Sequence, residues 1–131
     1  MKNLNDAPRP TDSELAILHI IWDLGPSTVR QVHEYLSQTK PSQYTTTLKL
    51  MQIMADKGLL KRDETDRSHV YYAQYERGRV QQQMAVHLMD RVFGGSAREL
   101  LMGALGGRRA SKKELAELRQ ILSDHEKGTK R

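Results

Sequence analysis

Apolar residues recur along the chain at helical spacing in six stretches, and between the third and fourth of these the period shortens to that of extended chain. The first stretch follows Thr11-Asp12-Ser13-Glu14, a capping box in which a hydroxyl and a carboxylate satisfy each other's backbone N–H. Behind it Leu15, Leu18 and Trp22 form a stripe widened by Ile17, Ile21 and Leu24, and Gly25-Pro26 stops the helix. A second helix opens at Thr28, with Gln31 in the reciprocal capping position, and turns Val29, Val32 and Leu36 inward. After the loop Lys40-Pro41-Ser42, a third helix starts at Ser42 or Gln43 and ends at Gly58, which supplies the left-handed residue. Thr47, Leu50, Met51 and Met54 lie at i, i+3, i+4 and i+7 on its inner face.

Leu59-Leu60-Lys61-Arg62 and His69-Val70-Tyr71-Tyr72-Ala73 then read as short strands around the polar tip Asp63-Glu64-Thr65-Asp66-Arg67-Ser68, a β-hairpin. Three helices and a hairpin in this order predict a winged helix-turn-helix, so the fold class is mainly α with a small β-hairpin wing. From Arg77 a stripe of Val80, Met84 and Leu88, with Val92 or Phe93 beyond, predicts a helix of about four turns. Gly94-Gly95 breaks it. Ser96 and Glu99 cap a short helix with Leu100, Leu101, Ala104 and Leu105, and Gly106-Gly107-Arg108-Arg109 forms a flexible basic loop. Ser111 and Glu114 cap a last helix that turns Leu115, Leu118 and Leu122 to one side.

These C-terminal segments hold too few large apolar residues for a core of their own. A second copy of the chain is the simplest cover, so Val80, Met84, Leu88, Leu100, Leu101, Leu115, Leu118 and Leu122 are candidate dimerisation residues. The organisation expected is a loose N-terminal arm at 1–10, a winged helix-turn-helix at 11–76, a helical dimerisation region at 77–126 and a frayed tail at 127–131.

Composition narrows the function. Aromatic residues make up only 5% of the 131, which suits an aliphatic helical core, and there is no cysteine for a disulfide, a thiolate nucleophile or a metal ligand. The N-terminus lacks the apolar core of a signal peptide, and no apolar run approaches the roughly 20 residues that span a bilayer. The expectation is a soluble cytoplasmic, nucleoid-associated protein without membrane insertion. The net charge of +5 is unevenly placed: residues 1–76 carry nine Lys and Arg against ten Asp and Glu, and residues 77–131 carry twelve against six. Global basicity is therefore no argument that the third helix binds DNA.

The helix's outer face is what points to DNA. Thr45, Lys49 and Gln52 lie opposite the apolar stripe, with Gln43, Tyr44 and Thr46 at the N-terminal end. Short hydroxyls, one cation and one amide meet phosphates and base edges without obstruction, and a helix N-terminus adds N–H donors. Arg67 at the hairpin tip is a further phosphate or minor-groove candidate among three carboxylates, Asp63, Glu64 and Asp66. His19, His33, His69, His87 and His125 are scattered and form no convergent zinc set. The paired glycines open no strand–loop–helix phosphate motif, and no Ser lies in G-x-S-x-G. Neither a cofactor, a metal nor enzyme activity is expected. A small-molecule-sensing winged-helix regulator and a protein-interaction adaptor remain open. An adaptor would expose large apolar groups on this helix, where only Tyr44, Leu48 and Ile53 qualify.

Several segments carry a family resemblance. Thr11-Asp12-Ser13-Glu14-Leu15, Trp22-Asp23-Leu24-Gly25-Pro26 and Thr28-Val29-Arg30-Gln31-Val32 resemble the opening of the BlaI/MecI/CopY family of penicillinase-type transcriptional repressors. Tyr44-Thr45-Thr46 followed by Lys57-Gly58-Leu59 is similar to that family's recognition helix, and Arg67 and Tyr72 sit where its wing has a basic tip and an inward tyrosine. Phe93-Gly94-Gly95-Ser96 and Glu114-Leu115-Ala116-Glu117-Leu118 are similar to its C-terminal dimerisation region. The resemblance implies a homodimeric repressor on a palindromic operator in double-stranded DNA. In the family's resistance branch it also implies a sensor-linked protease that cuts the C-terminal region. Gly103-Ala104 stands where that branch carries its scissile Asn-Phe, and Ile53 where many members carry a basic residue. The absence of cysteine excludes the metal motif of the copper-responsive branch.

Overall fold

A computed structural model describes residues 7–129. Its element order is α1 (Asp12–Leu24), β1 (Ser27–Thr28), α2 (Val29–Thr39), α3 (Tyr44–Lys57), β2 (Leu60–Asp63), β3 (Val70–Ala73), α4 (Arg77–Val92), α5 (Ala97–Gly106) and α6 (Lys112–Thr129). Described residues up to His87 form one compact unit, and those from Leu88 form a second.

The first unit is a winged helix. Both capping boxes form: Glu14 N–H donates to Thr11 Oγ1 at 3.2 Å and Thr11 N–H to Glu14 Oε1 at 2.9 Å, and Thr28 and Gln31 repeat the exchange. α3 ends on Gly58 at φ 88°, where Gly58 N–H reaches the Ala55 carbonyl and Leu59 N–H the Met54 carbonyl at 2.9 Å. This paired ending satisfies the last carbonyls and folds Leu59 into the core. The core joins Ile17, Leu18 and Ile21 of α1 to Val29 and Val32 of α2, Met51 and Met54 of α3, and Leu59, Leu60 and Tyr71. The expected α1 stripe of Leu15, Leu18 and Trp22 is thus rotated in the structure. Ile17, Leu18 and Ile21 take the inner positions, while Leu15 and Trp22 sit at the edge and Leu24 is exposed.

The wing gains a strand. Ser27 and Thr28 pair with Tyr71 and Val70, which makes β3 the centre of a three-stranded antiparallel sheet in the order β1-β3-β2. On its other side β3 places Tyr71 opposite Arg62 and Tyr72 opposite Lys61. Successive strand residues face opposite ways, so this register buries Tyr71 and leaves Tyr72 exposed. The inward tyrosine is therefore Tyr71, not Tyr72 as the resemblance implied.

Two further expectations change. Residues 7–10 are not a loose arm: Pro10 is buried, Ala7 N–H donates to Gln83 Oε1 at 2.9 Å, and the Arg9 guanidinium meets the His87 ring. The remainder of that arm lies outside the described residues. Val80, expected to lack an intrachain partner, is only 2% exposed. The start of α4 is fastened to α1: Trp22 Nε1–H donates to the Tyr75 carbonyl at 3.0 Å, while Arg77 lies over the Trp22 ring and pairs with Asp23. The next turn, which carries Val80, is covered as a result.

In the second unit, Gly94 and Gly95 take φ 57° and 80° in a tight turn closed by Gly95 N–H on the Met89 carbonyl at 3.0 Å. Ser96 Oγ accepts from Glu99 N–H and Ser111 Oγ from Glu114 N–H, which starts α5 and α6 where the capping residues predict. Gly103 lies inside α5, its Cα against the Phe93 ring, so only the residues after Gly106 leave the helix. α6 runs to Thr129, which brings Lys127 and Gly128 of the expected tail into the helix; Lys130 and Arg131 lie outside the described residues. No residue of α5 is buried.

Candidate nucleic-acid interface

α3 is positioned from both ends. At its C-terminus Lys57 Nζ donates to Glu14 Oε1 at 2.7 Å, the same oxygen that accepts the Thr11 N–H. Burial by itself pushes the Glu14 carboxyl up, but Lys57 and the Thr11 bonds outweigh it and hold the group below its ordinary value of 4.5. Glu14 is thus both a cap and a tie between α1 and α3. The capping pattern locates it at the start of α1, but nothing in the spacing brings Lys57 to it. At the other end His33 Nδ1 lies 3.1 Å from the Thr47 hydroxyl, which lets Thr47 stay buried in the α2–α3 contact.

With Thr47, Met51 and Met54 inward, the opposite face of α3 is open. Gln43 at the N-cap and Tyr44, Thr45, Thr46, Lys49 and Gln52 over the first nine positions of the helix are all exposed. Gln43 makes no side-chain cap bond, which leaves the N-terminal end of α3 free of a competing acceptor. Leu48 packs against the core instead of facing out, so Tyr44 and Ile53 are the large apolar groups left on this surface. Arg67 lies apart from the helix, exposed in the turn between β2 and β3. Of the carboxylates around it, Glu64 pairs with Arg62 at 2.8 Å. Asp63 accepts from the hydroxyl and the N–H of Thr65, which lower its pKa. Lys49 and Arg67 make no ion pair among the described residues.

Two residues to which the sequence assigned no role in DNA contact lie beside this surface. The Arg30 guanidinium lies 5.4 Å from the centre of the Tyr44 ring, and the His33 ring meets the same ring edge-on at 5.7 Å. Both stand on α2, where their helical positions gave no sign of a neighbour on α3.

The family model for the penicillinase repressor matches residues 10–124. The chain belongs to the penicillinase repressor family. It is 41% identical over 61 residues to the transcriptional regulator BlaI of Mycobacterium tuberculosis strain H37Rv, a match that covers 46% of this chain and 44% of that one. The chain thus aligns with less than half the length of that relative. It is 24% identical over 118 residues to the penicillinase repressor of Bacillus licheniformis, covering 90% of this chain and 92% of the relative. The solution structure of the DNA binding domain of the repressor BlaI superposes with a TM-score of 0.50 at 25% identity, over 59% of this chain and 90% of that domain. Among the described residues, no helix of this family member is long and apolar enough to cross a membrane, and no group of three or more histidines and carboxylates is placed to hold a metal ion.

Proposed function

We propose that this penicillinase repressor family member is a DNA-binding transcriptional repressor that acts as a homodimer on a palindromic operator. The observation that carries the reading is the open face of α3, where unpaired Lys49 stands among Thr45, Gln52 and an uncapped helix start. A lysine on a phosphate sets register and orientation. A threonine one turn before it and a glutamine one turn after it read a base edge or a thymine methyl. Tyr44, Thr46 and Gln43 line the entry to the same face, and Arg67 on the wing takes an adjacent phosphate. The test is a gel-shift titration of promoter DNA with Lys49→Ala and Thr45→Ala. Each is expected to lose about 1–3 kcal/mol of specific binding with the fold intact. Parental affinity in both variants would show that α3 does not read DNA.

The dimer is supported by apolar surface that the chain leaves uncovered. Leu88, Val92, Leu101, Ile121 and Leu122 are exposed, and Leu100, Leu115 and Leu118 are half-buried. Met84 is half-buried within the first unit, and Val80 drops out of the contact because its own unit covers it. An isologous pairing of these helices would set two copies of α3 on one face of the duplex, which requires a palindromic site. Each copy then raises the effective concentration of the other, so cutting the dimer arm would collapse affinity without touching α3. A sensor-linked protease acting this way needs extended chain. With Gly103 to Gly106 inside α5, the residues from Gly107 to Ser111, which lie between α5 and α6 and outside both, are where such a cut would be made.

A further inference from the structure

We propose that α2 clamps the Tyr44 ring, with Arg30 and His33 as positioning residues that fix this tyrosine as a DNA contact at the start of α3. The inference rests on the DNA-binding reading above and names how one of its contacts is held. Tyr44 is the first residue of α3, and no side-chain cap at Gln43 stiffens that end. A helix end fraying without a cap would let the ring sample several rotamers.

Two groups of α2 prevent this. The His33 ring stands edge-on to Tyr44 with an interplanar angle of 84°, the arrangement that the ring quadrupole favours. Arg30 sits on the same ring with its guanidinium carbon 5.4 Å from the centroid. His33 is itself fixed, with Thr47 at 3.1 Å from Nδ1 and Ser37 at 3.3 Å from Nε2. A neutral imidazole donates from one nitrogen and accepts at the other, and both hydroxyls serve either role, so the ring is held in either tautomer. The chain of contacts therefore runs from Ser37 through His33 to Tyr44, and this residue remains 38% exposed for a ligand.

A clamp and a direct contact differ in additivity. If His33 acts only through Tyr44, the cost of losing His33 and the cost of losing the tyrosine hydroxyl overlap. The probe is a labelled duplex carrying the site that the unaltered protein selects from a random-sequence pool, with an unrelated duplex as reference. Tyr44→Phe is expected to weaken binding to the selected site about three- to tenfold, as is His33→Leu, in line with one ring contact or one hydrogen bond. The double variant is expected to bind like the weaker single variant. Arg30→Met is expected to weaken the selected site in the parent but not in the Tyr44→Phe background, with the salt dependence of binding unchanged. Thermal melting of each variant, read alongside, separates lost binding from lost fold.

Full additivity of His33→Leu with Tyr44→Phe would overturn the clamp, as would parental affinity in folded His33→Leu. So would a fall of about one in the salt slope for Arg30→Met, since that marks a phosphate contact in its own right. Failure of the unaltered protein to select any sequence would instead sink the DNA-binding reading beneath it.

Discussion

Lys57 and Glu14 hold α3 against α1 through one short bond, and removing either partner tests what fixes the candidate recognition helix. The Glu14 side chain is 5% exposed and the Lys57 side chain 35%. Lys57→Met keeps most of the apolar stem but leaves a buried carboxylate with only the Thr11 bonds. Breaking a fully buried pair costs about 3–5 kcal/mol; with the lysine head a third exposed and the cap retained, about 1–3 kcal/mol is expected. Glu14→Gln keeps a capping side chain and a neutral acceptor for Lys57, so its loss should be smaller, about 1 kcal/mol. The pH dependence follows from the direction of the carboxyl shift. The folded group titrates below its ordinary value of 4.5, so its contribution is full above that value and is lost as pH falls through the lower, folded value. Urea denaturation of the parent and Glu14→Gln at neutral pH and near the acid limit of folding measures both effects. The gap between them should close on acidification. A gap that stays constant with pH, or an undiminished midpoint in Lys57→Met, would refute the assignment of this pair as the tie.

Other perturbations probe single features. Gly58→Ala forces a side chain into φ 88°, and urea unfolding should show a loss of about 1 kcal/mol, with any alanine gain in helix propensity overridden. Leu122→Glu, at a residue 59% exposed in the chain itself, should halve the mass seen by light scattering while leaving the circular dichroism spectrum unchanged. Unchanged dimer mass would move the interface off α6. Intact-mass measurement of protein from induced cells should place any cleavage between Gly107 and Ser111, and an intact chain under full derepression would exclude release by cutting.

Much of the winged helix was legible because its signals are local. Thr11 with Glu14, Thr28 with Gln31 and Gly58 each carry a terminus in one or two residues, and the structure uses all of them. What failed was rotation and register. In α1, apolar residues occupy enough of the circumference that Leu15–Leu18–Trp22 and Ile17–Leu18–Ile21 are equally periodic, and only contacts with α2 and β3 choose the second. In β3, two adjacent tyrosines offer both faces. The choice of Tyr71 is made by the pairing of Ser27 with it, and a two-residue strand leaves no periodic trace in a sequence. The face of α3 was readable because Met51 and Met54 mark its inner side and Lys49 and Gln52 its outer side, which sets buried Thr47 apart from exposed Thr45 and Thr46 by position and not by chemistry. The partners of Tyr44 on α2 were not, since Arg30 and His33 are ordinary members of a polar helix face until α3 is laid across it.

The same limit separates core from interface along α4. Val80 and Leu88 are two turns apart on one stripe, and both read as apolar positions in need of cover. Val80 is 2% exposed and Leu88 45% exposed, a difference that hydrophobic periodicity cannot encode. It comes from where the helix is fastened. Trp22, Asp23 and Arg77 pin the first turn of α4 to α1, and that cover ends before Leu88. From Leu88 onward the chain keeps presenting large aliphatic side chains through α5 and α6 without burying one of them among the described residues. Covering a leucine or isoleucine is worth about 1.5–3 kcal/mol, so several exposed together are a standing gain for whatever surface meets them. The proposed homodimer would meet such a surface in symmetric fashion, because each residue that needs cover would also be the cover that the other copy needs.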